Sequence, residues 1–196
     1  MPIDLNTAGE QRSFEVIPPK TEVTLHLTIR PGGAGGGGWL RRSANGQSEG
    51  LDCEFVVVDE GPHKGRKLWQ LFTLSGTTPG HADAGNISLR TLKAIVGSAK
   101  GIKPDDTSDA ANAARTLDSW GDLDQLRFVA RIGVRPPEGN YPTKNRIDEV
   151  ITPGMPTWKQ PVQIDRSTIR YSGGGGNGGA MPVAENSIAR PQWATN

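Results

Sequence analysis

Thr21-Glu22-Val23-Thr24-Leu25-His26-Leu27-Thr28-Ile29-Arg30 alternates without a break, with Val23, Leu25, Leu27 and Ile29 on one side and Thr24, His26, Thr28 and Arg30 on the other. A period of two is the pleat of a β-strand with one buried face. Downstream, Leu51 to Val58 repeats the pattern, with Leu51, Cys53, Phe55 and Val57 inward. Asp59-Glu60-Gly61-Pro62-His63-Lys64-Gly65 is dense in turn formers and runs into Arg66 to Leu74, so these two runs are expected to form a hairpin. Leu126 to Val134 alternates again, placing Leu126, Phe128, Ala130, Ile132 and Val134 inward, and a last short strand is expected at about Asn145 to Ile151.

Between the third and fourth strands the period changes. Ser88 can cap a helix whose Leu89, Leu92, Ile95, Val96 and Ala99 share a face and which Gly101 suits at its end, leaving Arg90, Lys93 and Lys100 solvated. The Ala-rich stretch Asp109 to Leu117 adds a short second helix with Thr107 or Ser108 at its start. Three strands, a helical insert and two strands is the element order of an OB-type barrel, so the expected fold is mainly β, five-stranded and closed. This domain is expected over residues 1–160. Residues 161–196, with their prolines and the run Ser172-Gly173-Gly174-Gly175-Gly176-Asn177-Gly178-Gly179, have little to bury and are expected to form a disordered tail.

Composition narrows the functional classes. Of 196 residues only 34% are hydrophobic, and Gly (26) with Pro (15) makes up about a fifth of the chain, near the level at which part of it is expected to be unfolded. A net charge of +1 supplies no global attraction for a polyanion, so any nucleic-acid site must rest on local placement. The single Cys53 excludes an internal disulfide, the start Met-Pro-Ile-Asp-Leu-Asn does not read as a signal peptide, and no apolar run nears the roughly 20 residues of a membrane helix. A soluble cytoplasmic protein is expected.

Templates for catalysis fit poorly. The glycines at 35–38 and the turn Gly61 to Gly65 lack the Gly-Lys-Ser/Thr ending of a phosphate-binding loop, and His26, His63 and His81 lie far apart with no second cysteine. Asp105, Asp106, Asp122 and Asp124 fall in loops and helix starts, where capping accounts for them. No enzyme, cofactor or metal is expected.

Aromatic and basic residues suggest binding instead. In an OB barrel the ligand groove crosses the second and third strands between two loops, which here are 31–50 and 136–143. The first carries Trp39, Arg41 and Arg42; the second carries Tyr141 and leads into Lys144 and Arg146. Between them lie Arg66, Lys67 and Trp69, while Phe72 falls on the core side. Flat rings for base stacking interleaved with cations for phosphates are what a single strand of nucleic acid requires. Arg127, Arg131 and Arg135 form a same-face row, assigned to phosphate contacts, with pairing to carboxylates of a neighbouring strand as the alternative.

Several stretches resemble a known family. Asp4-Leu5-Asn6, Phe55-Val56-Val57-Val58-Asp59 followed by Gly65-Arg66-Lys67-Leu68-Trp69, Leu89-Arg90-Thr91-Leu92-Lys93-Ala94-Ile95, and Lys144-Asn145-Arg146-Ile147-Asp148-Glu149-Val150 are similar to a family of uncharacterised phage and prophage proteins. These in turn resemble OB-fold single-stranded-DNA-binding proteins of recombination and replication modules. The resemblance spans about residues 1–153. It implies a non-catalytic protein that coats single-stranded DNA during phage recombination or replication in a bacterial host cell, with a recombinase or other replication protein as a second partner. The tail departs from the pattern: in place of an acidic tip it ends Ala189-Arg190-Pro191-Gln192-Trp193-Ala194-Thr195-Asn196, where Trp193 is the candidate docking residue. The alternative is an OB-type interaction module that recruits a recombination or virion partner without binding DNA.

Overall fold

A computed structural model describes residues 15–30, 38–139 and 142–165. The alternating runs become strands β1 (Glu22–Ile29), β3 (Ser48–Val57), β4 (Lys67–Gly76), β5 (Arg127–Arg135) and β6 (Lys144–Ile151), and a two-residue strand β2 (Arg41–Arg42) joins them. Two helices, α1 (Pro79–Lys100) and α2 (Asp109–Arg115), and a 3-10 turn at Trp120–Leu123 lie between β4 and β5.

All pairings are antiparallel. β1 pairs β3 on one side, from Leu25 opposite Val57 to Ile29 opposite Cys53, and β5 on the other, from Glu22 opposite Arg131 to His26 opposite Arg127. β6 extends the sheet beyond β5, and β4 lies along the other side of β3. β2 meets β3 only at Glu49 and Gly50, past the end of β1, where a bulge interrupts the β3–β4 register.

The expected closed five-stranded barrel is therefore incorrect. The sheet has six strands and is open, with β4 and β6 as outer strands that no ladder joins, and the class is mixed α/β. The reason is α1. It has 22 residues and packs against β4, β5 and β6, so a helix spans the gap that a closing ladder would have to cross.

Its length departs from the sequence reading, which started it at Ser88. Thr78 is the true N-cap: its hydroxyl accepts from the His81 backbone N–H at 3.3 Å, the His81 ring accepts from the Thr78 N–H at 3.3 Å, and Pro79 follows in the first turn. This is a capping box with a ring nitrogen in the usual carboxylate's place. Gly85 lets α1 lie close on β4, since a Cβ there would stand 2.8 Å from the Leu74 carbonyl oxygen. The helix ends at Gly101 in the left-handed conformation, φ 73°. Ser108 caps α2, accepting from the Ala111 N–H at 3.2 Å.

Leu25, Leu27, Phe55, Phe72, Phe128 and Ile132 fill the core from the sheet, and Leu92, Ile95, Val96 and Ala99 fill it from α1. Phe55 meets Phe72 and Phe128 edge to face, with centroids 6.3 and 5.8 Å apart. After β6 the chain returns along the end of α1. There the Gln163 amide donates to the carbonyls of Ala99 (3.0 Å) and Arg127 (2.7 Å), and its carbonyl accepts from the Arg127 N–H at 3.0 Å. Residues 166–196, including Trp193, lie outside the described residues.

Candidate functional site

The expected nucleic-acid groove is not borne out: the sheet is open, and most of the groove's cations are engaged by this chain's own oxygens. Arg41 Nη1 lies 2.9 Å from Asp52 Oδ2, and Arg30 Nη2 reaches both oxygens of the same carboxylate at 2.6 and 2.7 Å. Arg42 places Nε and Nη2 at 2.9 and 2.6 Å from Glu49 Oε1. Lys67 lies 2.8 Å from Glu54 Oε1, and the other Glu54 oxygen accepts from Trp69 Nε1 at 3.0 Å. Burial works against the Glu54 charge, but hydrogen bonds from Lys67 and Trp69 and the fields of Lys67 and Arg30 outweigh it and hold the pKa below the ordinary value.

The arginine row behaves alike. Arg131 sits directly opposite both Glu22 and Glu149 on the flanking strands and pairs with each, at 2.8 Å for Glu22. Glu22 is held below the ordinary carboxylate range by hydrogen bonds from Thr157 and Arg131. Arg135 pairs with Glu138 at 2.5 Å and Arg146 with Asp148 at 2.9 Å. Arg66 donates to the Glu15 carbonyl, and Arg127 to the Val162 carbonyl at 3.2 Å. Lys144 is exposed at the start of β6, and Tyr141 lies outside the described residues. Arg131 thus pairs across strands, the alternative named for the row, and Arg135 pairs locally. Trp69 is an exposed ring, at 49%, whose indole N–H is tied to the Glu54 carboxylate.

Trp39 also departs from its expected role. It is only 9% exposed, and its ring lies so close to Gly121 that a Cβ there would stand 2.3 Å from Trp39 Cζ2. Instead of offering a stacking surface, it forms part of the wall of a cavity of about 600 Å3 between α1 and the segment 115–123. Leu89, Leu92 and Val96 form the α1 wall, and Leu117, Trp120 and Leu123 the opposite one. Lys93, Arg115, Asp118 and Ser119 supply the polar part. Leu89 is 48% exposed, an apolar side chain facing both the cavity and solvent.

The walls are tied to the surrounding chain. Asp124, just past the 3-10 turn, accepts from the Ile29 N–H at 2.7 Å and so ties the turn to β1. Asp122 accepts from the Ser119 N–H at 2.9 Å. Arg115 Nη1 and Nη2 donate to the carbonyls of Asp106 (2.5 Å) and Lys103 (2.6 Å), fixing the end of α2.

No cavity was anticipated from the sequence. The available signal was Trp120: neither a strand nor a helix face claimed it, although an indole at the end of an amphipathic segment needs somewhere to pack. Among the described residues no group of three or more His, Cys, Asp or Glu side chains could hold a metal ion. His26 Nε2 bonds Gln125 Oε1 at 2.8 Å, and burial pulls its pKa down. No helix among the described residues is long and apolar enough to cross a membrane.

No protein-family model matches the chain, and no curated protein matches it either. The resemblance to OB-fold single-stranded-DNA-binding proteins of phages implied a closed barrel, and the open sheet overturns it.

Proposed function

We propose that this chain is a binding module that takes the apolar part of a small ligand into the cavity between α1 and residues 115–123. The observation that carries the reading is the cavity itself: about 600 Å3, walled by Trp39, Leu92, Val96, Leu117, Trp120 and Leu123, with few polar groups. Its volume lies within the roughly 300–1,000 Å3 of small-molecule sites, and an apolar wall with a few polar groups is their usual composition. Anchors at Asp124, Asp122 and Arg115 support a wall formed before the ligand arrives, which lowers the ordering cost of binding.

The reading is of a binder without chemistry of its own, in a reducing intracellular compartment. Cys53, the chain's one cysteine, is buried in the core, where burial pushes its thiol pKa up and leaves it unreactive.

The test uses N-phenyl-1-naphthylamine, a neutral probe whose emission rises in apolar surroundings. Titration into the full chain is expected to saturate at one probe per chain, and Trp120→Ala is expected to weaken binding about tenfold, on the order of 1.4 kcal/mol. A folded chain that shows no saturable binding would overturn the reading.

A further inference from the structure

We infer that the ligand carries a small oxyanion, and that Arg90, Lys93 and Arg115 receive it in a second cavity that shares two lining residues with the first. This rests on the proposed function and names the polar half of the same ligand. The second cavity is about 150 Å3, room for a carboxylate or phosphate head and little more. It shares Lys93 and Arg115 with the apolar cavity, so those two side chains border both spaces. Ala94, Gly97, Ile102, Pro104 and Thr152 complete its lining with Arg90, and no carboxylate is among the described residues lining it.

The state of these cations is the decisive observation. On the sheet, Arg30, Arg41, Arg42, Lys67 and Arg131 are paired with carboxylates, whereas Arg90, Lys93 and Arg115 form no ion pair among the described residues. Arg115 donates from Nη1 and Nη2 to backbone carbonyls, which hold the guanidinium in place without cancelling its charge, and its Nε is buried without a hydrogen-bond partner among the described residues. Arg90 and Lys93 lie three apart on α1, on one helix face, and form no ion pair among the described residues. The carboxylates nearby have other places. Asp106 accepts from the Ser108 N–H at 2.9 Å in the approach to α2, and hydrogen bonds from Ser108, with a smaller contribution from the Arg115 charge, lower its pKa without an ion pair forming; Asp118 borders the larger cavity but not the smaller.

A guanidinium fixed by two carbonyls, with a lysine and a second arginine beside it, is preorganised for a charge-assisted bond to an oxyanion. The apolar cavity next door selects what that oxyanion is attached to. A ligand with an aromatic or aliphatic body and an acidic head satisfies both spaces; a purely apolar one leaves the cations unused.

The experiment compares 2-naphthylacetate, its neutral amide and 2-naphthyl phosphate as competitors of N-phenyl-1-naphthylamine on the full chain. The acid and its amide share one ring system and differ in charge. The acid is expected to bind at least tenfold more tightly than the amide, an advantage that shrinks as salt is raised. The phosphate arm distinguishes the two oxyanions: an advantage larger than the acid's assigns the head as phosphate, a smaller one as carboxylate. Arg90→Gln, at an exposed position outside the larger cavity, is expected to weaken the acid about fivefold and leave the amide unchanged. If acid and amide bind alike while the probe binds, the anion site falls and the apolar site stands. If Arg90→Gln and Lys93→Gln each keep the full preference for acid, the inference is wrong. If the probe itself fails to bind, the proposed function falls first.

Discussion

The sheet's outer face and the α1 side carry the same kinds of residue to different ends. On the sheet, Arg30 and Arg41 converge on Asp52, Lys67 and Trp69 on Glu54, and Arg131 on Glu22 and Glu149. Beside α1, Arg90, Lys93 and Arg115 gather around a small cavity with no carboxylate among the described residues of its lining, next to an apolar one walled by two tryptophans. Counting cations and aromatics in the sequence ranks the sheet as the binding face. Their partners reverse that ranking, because an ion-paired arginine presents little net field to a ligand while one held by backbone carbonyls keeps its charge.

The largest expected effect comes from closing the cavity. In Gly121→Val the new Cβ would stand 2.3 Å from the Trp39 ring, too close to be absorbed without moving the indole or the 3-10 turn. Overpacking of this kind costs roughly 1–3 kcal/mol, and the upper end is expected because the turn is tied to β1 through Asp124. Thermal melts should show the loss, and probe binding should fall with it. Unchanged melting with unchanged probe binding would mean that the Trp39–Gly121 contact does not shape the site.

A smaller effect is expected from unbalancing the sheet. Asp52 is 9% exposed and serves two arginines, whose side chains remain 42% and 46% exposed. Breaking a buried ion pair by removing one partner costs about 3–5 kcal/mol, but water reaches these guanidiniums, so about 1–2 kcal/mol is expected for Asp52→Ala. The variant also frees positive charge on the sheet. If binding of 2-naphthylacetate stays at its parental affinity while stability drops, the two regions are independent; a gain in acid affinity would show that the sheet competes for the ligand.

How much of this was legible follows from the range of each interaction. Strand alternation is local, and β1, β3, β4, β5 and β6 fall close to where it put them; the Ser108 cap is local too. The first turns of α1 escape the pattern because the stretch before Ser88 is rich in Gly and Pro, which hides Thr78-Pro79 and the His81 ring that completes the cap. Sheet closure is a pairing between β4 and β6, distant in sequence, and neither strand's pattern says whether a helix will lie between them. The ion pairs needed register. Arg131 could be matched to Glu22 and Glu149 only once β1, β5 and β6 were aligned, and the cavity needed Trp39 and Trp120, some 80 residues apart, on one wall system.

The smallest effect is expected at Trp69, and pH gives it a signature. Trp69 is half exposed, so its removal forfeits little apolar burial; what it contributes is a hydrogen bond to Glu54, worth about 0.5–1.5 kcal/mol. That bond acts on the charged carboxylate. With Lys67 it holds the Glu54 pKa below the ordinary 4.5 of a free side chain, despite burial. A group whose folded pKa is depressed contributes stability that is fully present above its unfolded value and lost as pH falls through the folded one. Trp69→Ala is therefore expected to lower the melting temperature slightly at neutral pH, and the difference from the parent should shrink as pH drops below about 4.5 and Glu54 protonates in both proteins. Probe binding beside α1 should not change. A deficit that is constant with pH would assign Trp69 a packing role, and a loss of probe binding would join two regions that the ion-pair pattern separates.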